Sequence, residues 1–155
     1  MKIRKAKESD AGEISKLITE VVSNNFSGVY SDNVIKYFCE QNSVKNILKK
    51  MRQNVKYFVV ENKGEIIGVA GIKKNRIVSF HIDVKHQKQG IGKQLMFYIE
   101  NYAKDNFVKK LKVYSSLPAV KFYQRCGFKV VKKVLHSAPN SDKYVTVLME
   151  KKISD

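Results

Sequence analysis

The spacing of apolar residues changes between Met51 and Tyr57, and this change restricts the fold more than any other feature of the sequence. Before it, hydrophobic residues recur at helical intervals. Ile14, Leu17, Ile18, Val21 and Val22 make one amphipathic stretch that runs to about Asn24. Asp10-Ala11-Gly12-Glu13 in front of it gives a capping-box signal. After a loop from Asn25 to Tyr30, Val34, Ile35 and Phe38 suggest a second helix. Ser43 caps a third that carries Val44, Ile47, Leu48 and Met51. Beyond the change, the apolar runs are short and rich in β-branched and aromatic residues. Tyr57-Phe58-Val59-Val60 reads as a strand, Asn62-Lys63-Gly64-Glu65 as a tight turn, and Ile66 to Ile72 as the hairpin partner. Ile77 to Ile82 is the next strand.

The rest of the chain alternates. A glycine-bearing loop, Gln87 to Gly92, leads into a long helix with Ile91, Leu95, Ile99 and Tyr102 on one face. Lys110 to Tyr114 is a strand, Pro118 suits the first turn of the helix after it, and Gly127 suits that helix's end. Val130 to Leu135 and Val145 to Met149 are the last strands, joined by a polar turn around Pro139-Asn140-Ser141. With Ile3 to Ala6 as a first strand, the order predicts an α/β protein: about seven strands in a mixed sheet flanked by helices. No linker, repeat or low-complexity tract divides residues 1–155, so one domain is expected.

Composition narrows the classes. At 43% hydrophobic and 10% aromatic residues, the chain is globular rather than disordered. No apolar run approaches the roughly 18 residues that a membrane span needs, and the start carries no signal-like stretch. A cytoplasmic protein with no membrane partner is therefore expected, and the sequon Asn25-Phe26-Ser27 reads as an accident. Cys39 and Cys126 are too few and too far apart for a disulfide or metal framework. His81, His86 and His136 have no partners at ligand spacing, so no metal is expected. The formal charge of +16 comes from lysines scattered in short pairs, such as Lys49-Lys50 and Lys132-Lys133. No block of like charge or aromatic-interleaved basic patch marks a specific nucleic-acid site. The excess still favours a polyanionic ligand and disfavours a polycationic one.

The loop Gln87-Lys88-Gln89-Gly90-Ile91-Gly92 carries the chemistry. It joins a strand to a helix N-terminus, where unpaired N–H groups and the positive end of the helix dipole suit a pyrophosphate. Rival glycine motifs fail. A dinucleotide fingerprint starting at Gly90 needs Gly or Ala where Leu95 stands. A P-loop ending at Gly92-Lys93 needs Ser or Thr where Gln94 stands. Downstream lie Phe122-Tyr123 and Gly127-Phe128. Gln87, Gly90 and Gly92 followed by these two pairs resemble the signature of the GCN5-related N-acetyltransferase family, whose sheet is mixed and mostly antiparallel.

The resemblance implies acetyl-CoA as co-substrate and direct acetyl transfer to a small-molecule amine or a protein amino group. It implies that residues 87–92 hold the pyrophosphate and that the backbone around Ile82, Asp83 and Val84 pairs with the pantetheine arm. Tyr123 is then the acid that protonates the departing thiolate. Ser116 stands where the family often has Asn, and can still hydrogen-bond the cofactor. The glutamate base of several members falls near Arg76, which cannot serve, leaving His81, Asp83 or a water chain. An unperturbed histidine pKa near 6.5 suits base work at neutral pH. The alternatives are a non-catalytic CoA-binding module and a basic nucleic-acid-binding protein. The acceptor, set by residues 25–55 and the Ser137–Lys143 turn, has no signature, and the oligomeric state stays open, a homodimer included.

Overall fold

The computed structural model describes residues 1–139 and 142–155; Asn140 and Ser141 of the expected polar turn lie outside them. Among the described residues, seven strands form one sheet in the order β1-β2-β3-β4-β5-β7-β6. They are β1 (Lys2–Lys5), β2 (Lys56–Asn62), β3 (Glu65–Lys73), β4 (Arg76–Ile82), β5 (Lys110–Ser115), β6 (Lys129–Ser137) and β7 (Lys143–Lys152). Five helices accompany them: α1 (Ala11–Asn25), α2 (Asp32–Gln41), α3 (Val44–Arg52), α4 (Ile91–Asp105) and α5 (Val120–Arg125). Every neighbouring pair is antiparallel except β4 and β5, which run parallel. The α/β class and the mostly antiparallel sheet match the expectation. Among the described residues, no helix is long and apolar enough to cross a membrane.

The sheet is buried on both sides, which is why β2 reads as a continuous run, Tyr57-Phe58-Val59-Val60, rather than an alternating one. On one face Leu95, Met96, Ile99 and Ala103 of α4 pack over Phe58, Val60, Ala70 and Leu111. On the other, Ile14, Ile18, Val21 and Val22 of α1 pack over Tyr57, Val59 and Val69. Ser31 and Ser43 cap α2 and α3 by accepting from the N–H groups of Val34 and Asn46.

Two local expectations are corrected. Pro118 lies not in α5 but in a 3₁₀ turn, Leu117–Ala119, that precedes it. The capping box of Asp10 and Glu13 does not form, and α1 has no side-chain cap. Arg4 takes Asp10 instead: its guanidinium donates to both Asp10 oxygens at 2.8 and 3.1 Å and to Glu61 Oε2 at 2.6 Å. Asp10 also accepts from the Lys7 N–H at 2.7 Å. A bidentate arginine contact outweighs a single cap bond, and this one ties β1, the turn before α1 and β2 together.

An irregularity in β4 decides which side chains face which helices. Ser79 pairs with Gly71, and Ile77 with Ile72, so Val78 is an extra residue on its strand. The side-chain alternation therefore changes phase at Val78. Ile77, Phe80 and Ile82 join the α4 side. Ser79 and His81 lie opposite Gly71 and Val69 and share the α1 side.

The Arg4 guanidinium holds the Asp10 carboxyl below its usual range. A depressed carboxyl pKa contributes stability that is present above the unfolded value, near 3.9, and lost as pH falls through the lower folded value. The melting temperature should therefore drop more steeply below about pH 4 in the wild type than in Asp10→Asn. Equal slopes in a calorimetric pH series would refute the assignment.

Candidate functional site

Strands β4 and β5 pair only at Arg76 with Lys112 and Ile77 with Val113, then diverge. In the gap lies a cavity of about 850 Å³ that reaches both faces of the sheet. Val22, Phe26 and Phe38 wall it on the α1–α2 side, and Gly90, Gly92 and Phe122 on the α4–α5 side.

The backbone at this gap is partly unpaired. The Asp83 N–H donates to the Ile67 carbonyl at 2.8 Å, which continues the ladder with β3. Because N–H groups alternate in direction along an antiparallel strand, those of Phe80 and Ile82 point the other way, towards the gap. The free edge thus includes Phe80 ahead of the expected span, Ile82 to Val84. Of that trio Asp83 is tied to β3 by its N–H, Ile82 presents its N–H there, and Val84 begins a 3₁₀ turn. Gln87 Nε2 donates to the Ile82 carbonyl at 3.0 Å, so this amide braces the loop against the strand end.

The two loop glycines do different work. Gly90 caps α4 with φ of 81°, a left-handed conformation that favours glycine, and a side chain there would meet open space. Gly92 has ordinary φ, but a Cβ on it would stand 2.8 Å from Phe122 Cε1. Its role is to admit Phe122, whose ring packs on Phe80 with centroids 5.1 Å apart. Among the described residues, the first bond of α4 is Gln94 N–H to the Gly90 carbonyl at 3.2 Å, and no side chain caps the helix. The N–H groups of Ile91, Gly92 and Lys93 are left without protein partners. Lys88, Lys93 and Arg125 line the cavity beside them. Gln89 is exposed, its amide reaching back to the Lys85 carbonyl at 3.5 Å. The donor set fits an anion.

Tyr123 lines the same cavity at 4% exposure, held between Phe122 and Phe128 at centroid distances of 5.3 and 5.4 Å. Burial pushes its hydroxyl well above the ordinary tyrosine value, so it stays protonated throughout the neutral range. His81 lines the cavity from the other face. Burial, aided by the Lys50 charge, lowers its pKa to about 4. A ring so shifted is neutral in the neutral pH range. Asp83 is engaged with His86, Oδ2 to Nδ1 at 2.7 Å. Ser116 lines the cavity at the start of the 3₁₀ turn after β5.

Two residues, one beside the cavity and one in its lining, carry no sequence signal. Tyr30 donates its hydroxyl to the Val145 carbonyl at 2.7 Å and accepts from the Leu117 N–H at 3.0 Å. It joins the loop before α2 to β7 and to the turn after β5. Ser79, buried on β4, is among the residues lining the cavity, and its hydroxyl is enclosed without a protein partner. Both depend on long-range pairing. Among the described residues, no group of three or more His, Cys, Asp or Glu could hold a metal.

Comparison with known proteins adds to this geometry. The family model for an acetyltransferase (GNAT) domain matches residues 26–151. A β-lysine N(6)-acetyltransferase of Methanococcus maripaludis is 32% identical over 107 residues, which is 65% of this chain and 35% of that protein. The chain thus spans about a third of the length of the curated relative it matches. A GCN5-related N-acetyltransferase of Rhodopseudomonas palustris superposes with a TM-score of 0.89 at 16% identity, covering 97% of this chain and 94% of that one. The PaiA N-acetyltransferase of Thermoplasma acidophilum, solved with coenzyme A, gives 0.78 at 21% identity, with coverage of 97% and 98%.

If Gly92 exists to admit Phe122, Gly92→Ala should destabilise the protein by about 1–3 kcal/mol in urea, the usual range for overpacking. Phe122→Leu in the same chain should recover part of that loss. Additive losses in the double variant would show that the two positions do not meet.

Proposed function

The chain belongs to the GNAT acetyltransferase family, and from that premise we propose that it moves an acetyl group from acetyl-CoA directly to a primary amine. The observation that carries the reading is the cavity in the β4–β5 gap, with an anion-ready helix terminus on one side and the protonated Tyr123 hydroxyl in its wall. The relative from Methanococcus is named for acetylating N(6) of β-lysine, a primary amine. The Thermoplasma neighbour was solved with coenzyme A. Both support the acceptor class and the donor.

In this reading the N–H groups of Ile91 to Lys93, with the Lys88 and Lys93 charges, take the pyrophosphate. The open space over Gly90 leaves room for it. The unpaired edge at Phe80 and Ile82 orients the pantetheine arm, and Ser116 offers a further hydroxyl. The amine nitrogen attacks the thioester carbonyl, forming the C–N bond. Breaking the C–S bond releases a thiolate, and Tyr123 Oη–H supplies its proton. The amine's own proton leaves to water, because His81 is too weak a base and Asp83 is engaged with His86. Every residue used belongs to one chain, so the reading requires neither a second copy nor specific nucleic acid. A cytoplasmic setting suits the two free thiols, Cys39 and Cys126.

Tyr123→Phe should lower kcat by about a hundredfold to ten-thousandfold, the range for loss of a general acid, with acetyl-CoA affinity nearly unchanged. A Phe variant within about threefold of wild type would remove Tyr123 from the chemistry.

The pH dependence tests where the amine's proton goes. With His81 titrating at about 4 and Tyr123 far above neutrality, neither group changes charge between pH 6 and 9. The rising limb of kcat/KM should therefore follow the acceptor's own pKa and shift when the acceptor is changed. A limb fixed near one pH for all acceptors, and abolished in His81→Gln, would return the base role to His81.

A further inference from the structure

The two faces of the sheet are not covered alike. The apolar layer of α1, α2 and α3 packs over β2 and β3 and meets the β5–β7–β6 half at Tyr144 and Ala138. Further along the same face, Lys112, Tyr114, Leu148 and Glu150 are only half-buried, although β5 and β7 are interior strands. Lys110, Lys129, Lys132 and Lys152 are exposed. An interior strand buries both faces only where a layer covers it, so this part of the sheet is open to solvent.

The strand register lines up charges on that open face. Lys73 stands opposite Arg76, Arg76 beside Lys112, Lys112 opposite Glu150, and Glu150 opposite Lys129. Their chain neighbours Ile72, Ile77, Val113 and Met149 belong to the α4 side, which puts this row on the other face. The row crosses β3, β4, β5, β7 and β6 and spans about 19 Å at the usual strand spacing. Lys110 opposite Lys152 forms a second pair beside it. Glu150 reaches Lys110 at 3.4 Å, and Asp155 reaches Lys152 at 3.7 Å. Among the described residues, Lys73, Arg76, Lys112, Lys129 and Lys132 make no ion pair. Like charges directly opposite each other are destabilising, and both Lys73–Arg76 and Lys110–Lys152 are so placed. An anionic partner laid along the row would relieve both.

The row borders the cavity. The gap between β4 and β5 opens just past Ile77 and Val113, one residue beyond Arg76 and Lys112. The Arg76 guanidinium lies 4.7 Å over the ring of Tyr114, which lines the cavity. Resting on the acetyl-transfer reading above, we propose that the acceptor amino group belongs to an acidic polypeptide. Its carboxylates dock along the row, and its lysine or N-terminal amine enters the cavity beside Tyr114. The row is longer than a small amine can cover. Each exposed ion pair is weak by itself, so recognition uses several at once, as a polymer supplies. Nucleic acid matches the charge but carries no aliphatic primary amine. The rings on this face, Tyr114 and His136, are engaged with Arg76 and Tyr144 rather than offered for base stacking.

The test uses two short peptides of equal length, each with one central lysine and blocked ends. One flanks the lysine with glutamates, the other with glutamines. Thiol release from acetyl-CoA at low salt should give the glutamate peptide a kcat/KM about tenfold higher, and added salt should shrink that advantage. A double variant, Lys112→Gln with Lys132→Gln, changes two residues outside the cavity lining. It should raise KM for the glutamate peptide about fivefold, while kcat, KM for acetyl-CoA and the melting temperature hold. Equal kcat/KM for the two peptides would overturn the proposal and leave acetyl transfer standing. So would a glutamate preference that survives intact in the double variant. A single-stranded RNA oligonucleotide that binds more tightly than the glutamate peptide, and loses that binding in the double variant, would reassign the row to nucleic acid. Glutamate-selective binding in calorimetry, lost in the double variant, with no thiol release from any amine, would keep the docking row and overturn acetyl transfer.

Discussion

The site depends on a parallel pairing that stops early. A seven-stranded sheet with this much buried backbone satisfies its N–H and carbonyl groups through its neighbours, yet β4 and β5 share only two residue pairs before they separate. Past that point the strand edge at Phe80 and Ile82 has no neighbour, and a cavity takes the neighbour's place. The remaining features serve to keep the gap open and correctly edged. Gln87 braces the loop on the β4 side, Tyr30 ties β7 to the turn after β5, and the Phe80–Phe122 contact fills the space beneath. Strong antiparallel pairing of β3 with β4 and of β5 with β7 lets the middle of the sheet part without the sheet failing.

Much of this was legible in the sequence because it depends on local patterns. Helical spacing in α1 and α4, short β-branched runs, and Gly64 and Gly127 at turns each involve residues close in the chain. The glycine loop and the Phe122-Tyr123 pair were legible for the same reason. What could not be read depends on long-range geometry. Asp10 has the spacing of a capping residue, but the competing arginine lies on another element, and the bidentate bond prevails. Gly92 sits in a loop whose local pattern gives no sign of Phe122, which packs against it from another helix. The extra residue at Val78 puts Ser79 and His81 on the α1 face, and no local pattern in β4 announces it. The shift of His81 below its ordinary pKa comes from burial, a property of the assembled protein.

The lysine excess takes on a specific meaning in this setting. Most of it is spread over the surface, while Lys88, Lys93 and Arg125 gather where α4 begins. Among the described residues, the cavity has no acidic lining. Positive charge gathered at a helix N-terminus favours a phosphorylated ligand there.

The cavity reaches both faces of the sheet, so donor and acceptor need not share a doorway. In the direct-transfer reading proposed above, each could then arrive or leave while the other is in place, with no acetyl group parked on the protein between visits. Initial-rate plots at several fixed acceptor concentrations would then intersect, as they do when both reactants must be present together. A dead-end analogue of the donor would not be displaced simply by flooding the protein with amine. The order of arrival would reflect which side of the gap is better formed before anything binds. That is the α4 side, where the helix terminus and the glycine turn are already in place.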